Sequence, residues 1–323
     1  MENLELEKTV KNTQEKLEAI RSNIESVVRG KSGVVELSLV ALLAGGHLLL
    51  EDSPGVGKTL LALSLAKSVD ALFRRVQFTN DTIPSDIIGS QIFSRTSEKM
   101  EFIPGPIFAN IVLADEINRT SPKTQSALLE AMAEGRISVE NEVFELPQPF
   151  MVVATQNPLE QQGTFPLPEN QLDRFLIRAS IGYPSREAEM EILEREIDMK
   201  TVDDIGSVLS MDDVSSLRVA ANKVKMDKSL LNYLLDIVEA TRRDERIELP
   251  VSPRGALMLK KAAKALALVR GRDYVTPDDI KRLAVPVLSH RIVPRGNAGG
   301  VFADRTQAES LINTIVESIE VPL

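Results

Sequence analysis

The chain has 323 residues, 43% hydrophobic and 26% charged, with a formal net charge of −9, two histidines and no cysteine. That length provides for about two domains with ample core. The missing cysteine excludes a disulfide framework, a thiolate metal site and a thiol nucleophile. The acidic balance disfavours a dedicated nucleic-acid binder. The charged N-terminal stretch has no apolar signal segment, so a cytoplasmic protein without a membrane anchor is expected.

Leu6, Val10, Leu17, Ile20, Ile24 and Val27 recur at helical spacing, predicting one amphipathic helix over 4–28. Val28-Arg29-Gly30-Lys31 turns the chain into a second helix near 32–44, stopped by Gly45-Gly46. Residues 27–30, with Val28 and Arg29 among them, either only pack or line an adenine pocket.

The apolar run His47-Leu48-Leu49-Leu50 then leads into Ser53-Pro54-Gly55-Val56-Gly57-Lys58-Thr59 and on to Leu60. A buried strand, a glycine-rich turn and a helix start in that order form a phosphate-binding loop. Backbone N–H groups face the anion, Lys58 adds charge for the β- and γ-phosphates, and the Thr59 hydroxyl is placed to ligate Mg²⁺. The first glycine of the consensus is replaced by Asp52. A carboxylate aimed at a triphosphate would repel it, so Asp52 is expected to point outward or to meet a cation.

A second strand is expected at 75–79 and a short helical turn at Pro84-Ser85-Asp86-Ile87-Ile88-Gly89. Residues 102–108 read as a hairpin tip or loop, either covering a core edge or forming a working surface. Ile111-Val112-Leu113-Ala114-Asp115-Glu116 is an apolar strand ending in two acids, the second half of a nucleotide-hydrolysing site. Asp115 would hold Mg²⁺ through water, and Glu116 would take a proton from the attacking water or orient it.

Ser121-Pro122 begins a helix that Gly135 ends, and a hairpin follows around Glu140-Asn141-Glu142. A strand over 150–155 runs into Gln156-Asn157-Pro158, where Asn157 either positions water or simply belongs to a turn. Arg174 precedes a fifth strand at 175–181 and reads as an arginine finger or a surface ion pair. Beyond Tyr183 no strand run stands out, and helical patterns occupy 186–199, 212–222, 228–243, 253–270, 277–288 and 304–318. The domains are therefore expected at 1–182 and 183–323. Ser252-Pro253-Arg254 starts a helix with the wrong charge for the helix dipole. Arg254 is either an exposed arginine or is held there for an anion, such as a γ-phosphate across the domain cleft. Residues 294–300 are expected to form a mobile loop.

The phosphate loop, Leu113-Ala114-Asp115-Glu116-Ile117-Asn118-Arg119, Ala154-Thr155-Gln156-Asn157-Pro158, Gln171-Leu172-Asp173-Arg174-Phe175 and Val251-Ser252-Pro253-Arg254-Gly255 together resemble the MoxR-type AAA+ ATPases over nearly the whole chain. The resemblance implies an α/β core with a parallel sheet of order 5-1-4-3-2, helices on both faces, and a smaller helical lid. It implies ATP and Mg²⁺ as cofactors, a Walker A lysine at Lys58, Mg²⁺ ligation by Thr59 and Asp115, and a catalytic Glu116. Asn157 would be sensor 1, Arg174 a finger reaching a neighbouring subunit, and Arg254 sensor 2. Expected partners are further copies of the chain in a ring, a hexamer, and a von Willebrand factor A-domain protein, in a chaperone-like role that matures protein complexes, some of them metalloenzymes. Neither nucleic acid nor membrane is expected as a partner. The competing readings are a nucleic-acid motor, a nucleotide-binding scaffold without turnover, and a chelatase-type motor subunit.

Overall fold

The computed structural model describes residues 2–96, 98–139, 142–157, 163–194, 201–296 and 301–322. The packing of Leu6 and Val10, the hairpin tip Glu140-Asn141, Pro158, the helical pattern at 195–199 and the glycine-rich run 297–300 lie outside the description.

Helices α1 (Glu2–Glu25) and α2 (Ser32–Leu43) precede strand β1 (Leu48–Glu51) and helix α3 (Lys58–Ser68). Strand β2 (Phe73–Gln77) and helix α4 (Pro84–Ile88) follow, then an antiparallel hairpin of Gly89–Ser94 with Lys99–Pro104. Next come β3 (Ile111–Asp115), α5 (Pro122–Glu134), a second hairpin of Arg136–Val139 with Glu142–Glu145, β4 (Met151–Gln156), α6 (Glu169–Leu172) and β5 (Ile177–Ala179). The helical region carries α7 (Arg186–Glu194), α8 (Met211–Lys223), α9 (Lys228–Arg243), α10 (Pro253–Val269), α11 (Pro277–Leu288) and α12 (Val301–Ser318).

The five strands form one parallel sheet, ordered β2-β3-β4-β1-β5, which is 5-1-4-3-2 from the other edge. Parallel strands covered on both faces read as continuous apolar runs, and the period of two sorts their side chains. Leu48, Leu50, Ile111, Leu113, Met151 and Val153 enter the apolar cluster shared with α1, α2 and α3. Leu49, Val112, Ala114, Val152 and Ala154 enter the opposite cluster, with α5 and the two hairpins. The first cluster continues into Leu217, Leu234, Leu259, Leu283 and Ile312, so the helical region is seated on the core by a continuous apolar contact.

Three expectations need correction. Residues 102–104 are strand, not a hairpin tip; Phe102 stacks on Phe144 with ring centroids 4.0 Å apart. The fifth strand is shorter than the run 175–181. The Phe175 N–H goes to Leu172 O, and the Ile181 N–H is taken by a side chain instead of a neighbouring strand. The helical region does contain strands: Ile247–Leu249 pairs antiparallel with Val293–Pro294. Segments that short leave no alternation to read.

Candidate functional site

The carboxyl ends of β1, β3 and β4 lie side by side, since Glu51 faces Gln156 and Ala114 faces Ala154. Everything the chain places just beyond those ends converges on one edge of the sheet, where parallel sheets bind ligands.

The phosphate loop leaves β1 there. Gly55 and Gly57 have φ of +84° and +95°, and a Cβ on either would meet nothing within 4 Å. Backbone conformation, not crowding, thus calls for glycine. Gly57 is the N-cap of α3, so the first N–H groups of that helix are free to face an anion. Lys58 donates to Asp52 O at 2.7 Å. Burial pushes its ammonium below the ordinary lysine value, and Asp52, Asp115 and Glu116 pull it back up. Leu60 packs against a small apolar cluster of Val27, Val202 and Ile205, which brings the segment before α2 and the loop helix to one cluster. Val28 is buried in the core, while Arg29 is partly exposed and Gly30 exposed. A cavity of about 400 Å³ opens beside them, lined by Gly30, Lys31, Ser180 and Ile181 and, from the helical region, Arg282 and Arg305.

At the end of β3, Asp115 is 8% exposed and fully engaged. Arg75 donates to Oδ2 from Nε and Nη2 at 3.1 and 2.7 Å, and the Thr155 hydroxyl donates to Oδ1 at 2.6 Å. Glu116 has φ of +58°, a left-handed conformation costly for a residue with a Cβ and often kept where function needs it. Its N–H donates to Thr155 Oγ1 at 2.9 Å. Gln77 Nε2 donates to its carboxylate at 2.7 Å, and Arg119 Nε stands 3.2 Å away. The two acids, Lys58 and Thr59 therefore occupy one edge, and Asn157 follows β4 directly. Sequence reasoning missed Gln77, Arg75 and Thr155. Thr155 looked like one more β-branched strand residue, and the register that sets Gln77 opposite Asp115 is not written locally.

One carboxylate and one hydroxyl make a sparse donor set. Among the described residues, no group of three or more His, Cys, Asp or Glu is arranged to hold a metal. Mg²⁺ tolerates such sparseness, since it keeps its waters and takes phosphate oxygens as ligands.

Asp52 takes the first of the two expected courses: its carboxylate faces the end of β5 and not the phosphate side. Its buried carboxylate accepts the Ser180 hydroxyl at 2.6 Å and the Ile181 and Gly182 N–H groups at 2.6 and 3.1 Å. These donors at the end of β5 satisfy it and turn its charge away from the phosphate side. Glu51 beside it is 5% exposed and pairs with Arg305 at 3.2 Å.

Arg174 and Arg254 are not at this edge. Ile177 faces Leu48, so Arg174, three residues earlier, lies at the amino end of the sheet, on the order of 20 Å from its own phosphate loop. There Arg174 Nη1 donates to Leu129 O at 2.6 Å. Arg254 Nε is 4.0 Å from Asp173, so the expected reach across its own domain cleft is not found. Ser252 caps α10 by accepting the Gly255 N–H at 3.2 Å, and Asp173 supplies the negative charge that Arg254 lacked in the sequence pattern. Asp173 also accepts Arg291 Nε at 2.8 Å, and Arg291 is almost fully buried.

The family described as "ATPase family associated with various cellular activities (AAA)" matches residues 47–177, and the AAA lid domain matches 239–315. Chaperone MoxR1 of Mycobacterium tuberculosis is 41% identical over 95% of this chain and 82% of its own length. The chain belongs to the MoxR family of AAA+ ATPases. Protein YeaC of Bacillus subtilis is 47% identical over 93% of both chains. The crystal structure of a protein from Cytophaga hutchinsonii superposes over 100% of both chains with a TM-score of 0.87 at 35% identity. The parallel sheet of order 5-1-4-3-2 with its helical lid is thus the architecture of this MoxR-family chain. No helix among the described residues is long and apolar enough to cross a membrane.

Proposed function

We propose that this MoxR-family chain hydrolyses ATP at the junction between two copies of itself and uses the cycle to remodel protein clients. One observation carries the proposal: the phosphate loop and the acids lie at one end of the sheet, and Arg174 lies at the other. A finger so far from its own loop acts on a neighbour's nucleotide, and an active site completed in this way calls for a ring, a hexamer in our reading.

The α3 N-terminus and Lys58 bind the β- and γ-phosphates, and the residue 27–30 segment, with Val28 and Arg29, borders the base. Thr59, and Asp115 through water, would hold Mg²⁺, which when bound offsets the negative charge of the phosphates. Glu116 accepts the proton of the attacking water, oriented with help from Asn157. In the structure Gln77 and Arg119 hold the Glu116 carboxylate, so it must leave them to serve as base. Arg174 of the next subunit meets the charge that develops on the γ-phosphate, where such an arginine supplies about 10³–10⁵ in rate. Arg254, on the same edge as Arg174, then also faces the neighbour. The acidic net charge and the name of the Mycobacterium relative support a protein client over nucleic acid. Resemblance to the family supports a von Willebrand factor A-domain partner and a part in maturing protein complexes.

The test is nucleotide binding and turnover in Lys58→Ala and Arg174→Ala. Both lose turnover, and only Lys58→Ala loses nucleotide affinity. Equal loss of binding in Arg174→Ala would place that arginine in its own chain's site and sink the proposal.

A further inference from the structure

The sequence departs from the phosphate-loop consensus at Asp52, and the structure gives that residue two tasks. Its backbone carbonyl accepts the Lys58 ammonium at 2.7 Å. Its carboxylate accepts the Ser180 hydroxyl and two consecutive N–H groups at the carboxyl end of β5. Lys31 also holds this segment, donating to Ile181 O at 2.7 Å and Tyr183 O at 2.6 Å. Glu51 adds a third tie, 3.7 Å from Arg178 in the middle of β5.

Strand β5 is only three residues long and pairs with β1 along that whole length, Ile177, Arg178 and Ala179 facing Leu48, Leu49 and Leu50, so its two ends are coupled through the strand that leads into the phosphate loop. At its amino end stand Asp173 and Arg174. Asp173 is held by Arg291 and flanked by Arg254. The phosphate loop therefore grips one end of a short strut whose other end carries the arginine edge. When Lys58 exchanges the Asp52 carbonyl for a phosphate, the residue that loses that bond is the one that holds β5.

We propose that Asp52 is a positioning residue that ties nucleotide occupancy of its own loop to the placement of the Asp173–Arg174 edge offered to the next subunit. The proposal rests on the reading of Arg174 as acting on a neighbour. It assigns a use to a carboxylate that the phosphate-loop consensus does not contain. A purely local role would affect stability or nucleotide affinity alone; this role governs how one subunit's ATP alters its neighbour's turnover.

The experiment is ATPase rate against ATP concentration for the assembled wild type, Asp52→Gly and Ser180→Ala. Glycine keeps the carbonyl that Lys58 uses and restores the consensus. Wild type is expected to show a Hill coefficient above 1. In Asp52→Gly, half-saturating ATP stays within about threefold of wild type, while kcat falls about tenfold and the Hill coefficient drops to about 1. Ser180→Ala, which removes one of three donors and leaves Asp52 in place, gives an intermediate Hill coefficient and guards against a glycine variant that fails to fold. A wild-type Hill coefficient of 1, or one unchanged in both variants, overturns the proposal. Absence of ATP turnover in the wild type sinks the ATPase reading instead, and turnover by a strict monomer sinks the reading of Arg174.

Discussion

If Arg174 serves the neighbouring subunit, two dead variants should revive each other. Lys58→Ala removes the phosphate-binding ammonium but keeps the finger; Arg174→Ala removes the finger but keeps the loop. Each alone should run below about 1% of wild type, given what such an arginine contributes. In an equimolar random ring, a junction works only if the loop comes from an Arg174→Ala subunit and the finger from a Lys58→Ala subunit. Each condition holds for half the positions, so about one quarter of junctions are intact and the mixture should recover about one quarter of the wild-type rate. The assay is phosphate release after the two variants are mixed, disassembled and reassembled, over a range of mixing ratios peaking at equal parts. Placement of Arg174 at the amino end of the sheet forbids rescue within a chain. A mixture as inactive as its parents at every ratio would refute the geometric argument.

His47 offers a pH-dependent test of the core. Its Nδ1 accepts the Val152 N–H at 3.0 Å and its Nε2 faces Met132 O at 3.0 Å, which fixes a neutral ring. Burial lowers its pKa to about 4 from 6.5. The folded value lies below the unfolded one, so this contribution is whole above pH 6.5 and is lost as pH falls towards 4. From pH 7.5 to 5 the loss is about 2 kcal/mol. Denaturant melts of wild type and His47→Gln should converge by that amount, and a gap independent of pH would contradict the neutral ring. Arg291→Met should lower stability by about 3 kcal/mol, the low end for a broken buried pair, since Asp173 is partly exposed and keeps Arg254 nearby. A change under about 1 kcal/mol would show that the Arg291–Asp173 pair does not fasten the lid.

Much of this site could be read because its signals are local. Ile111-Val112-Leu113-Ala114 is apolar, strand-length and followed at once by two acids, and Gly55 and Gly57 stand where φ must be positive. The caps of α5 and α10 announced themselves as Ser-Pro pairs. What could not be read depends on partners distant in sequence. The Asp52 carboxylate finds donors at residues 180–182, and Arg254 finds Asp173. Without those partners, a carboxylate beside a phosphate loop looks like a conflict, and the side of the sheet on which an arginine at a helix start lies cannot be seen. Gln77 and Thr155 escaped for another reason: each is an ordinary strand residue until the register brings it to an acid. The pair Ile247–Leu249 and Val293–Pro294 is too short for any pattern, and its proline argues against a strand.

Specific activity against protein concentration tests the shared active site most directly. Saturating ATP is held constant while the chain is diluted through its assembly range, with mass followed by light scattering. The account predicts that turnover per subunit collapses as the assembly dissociates and returns on reconcentration. Constant turnover per subunit in a sample shown to be monomeric would contradict it.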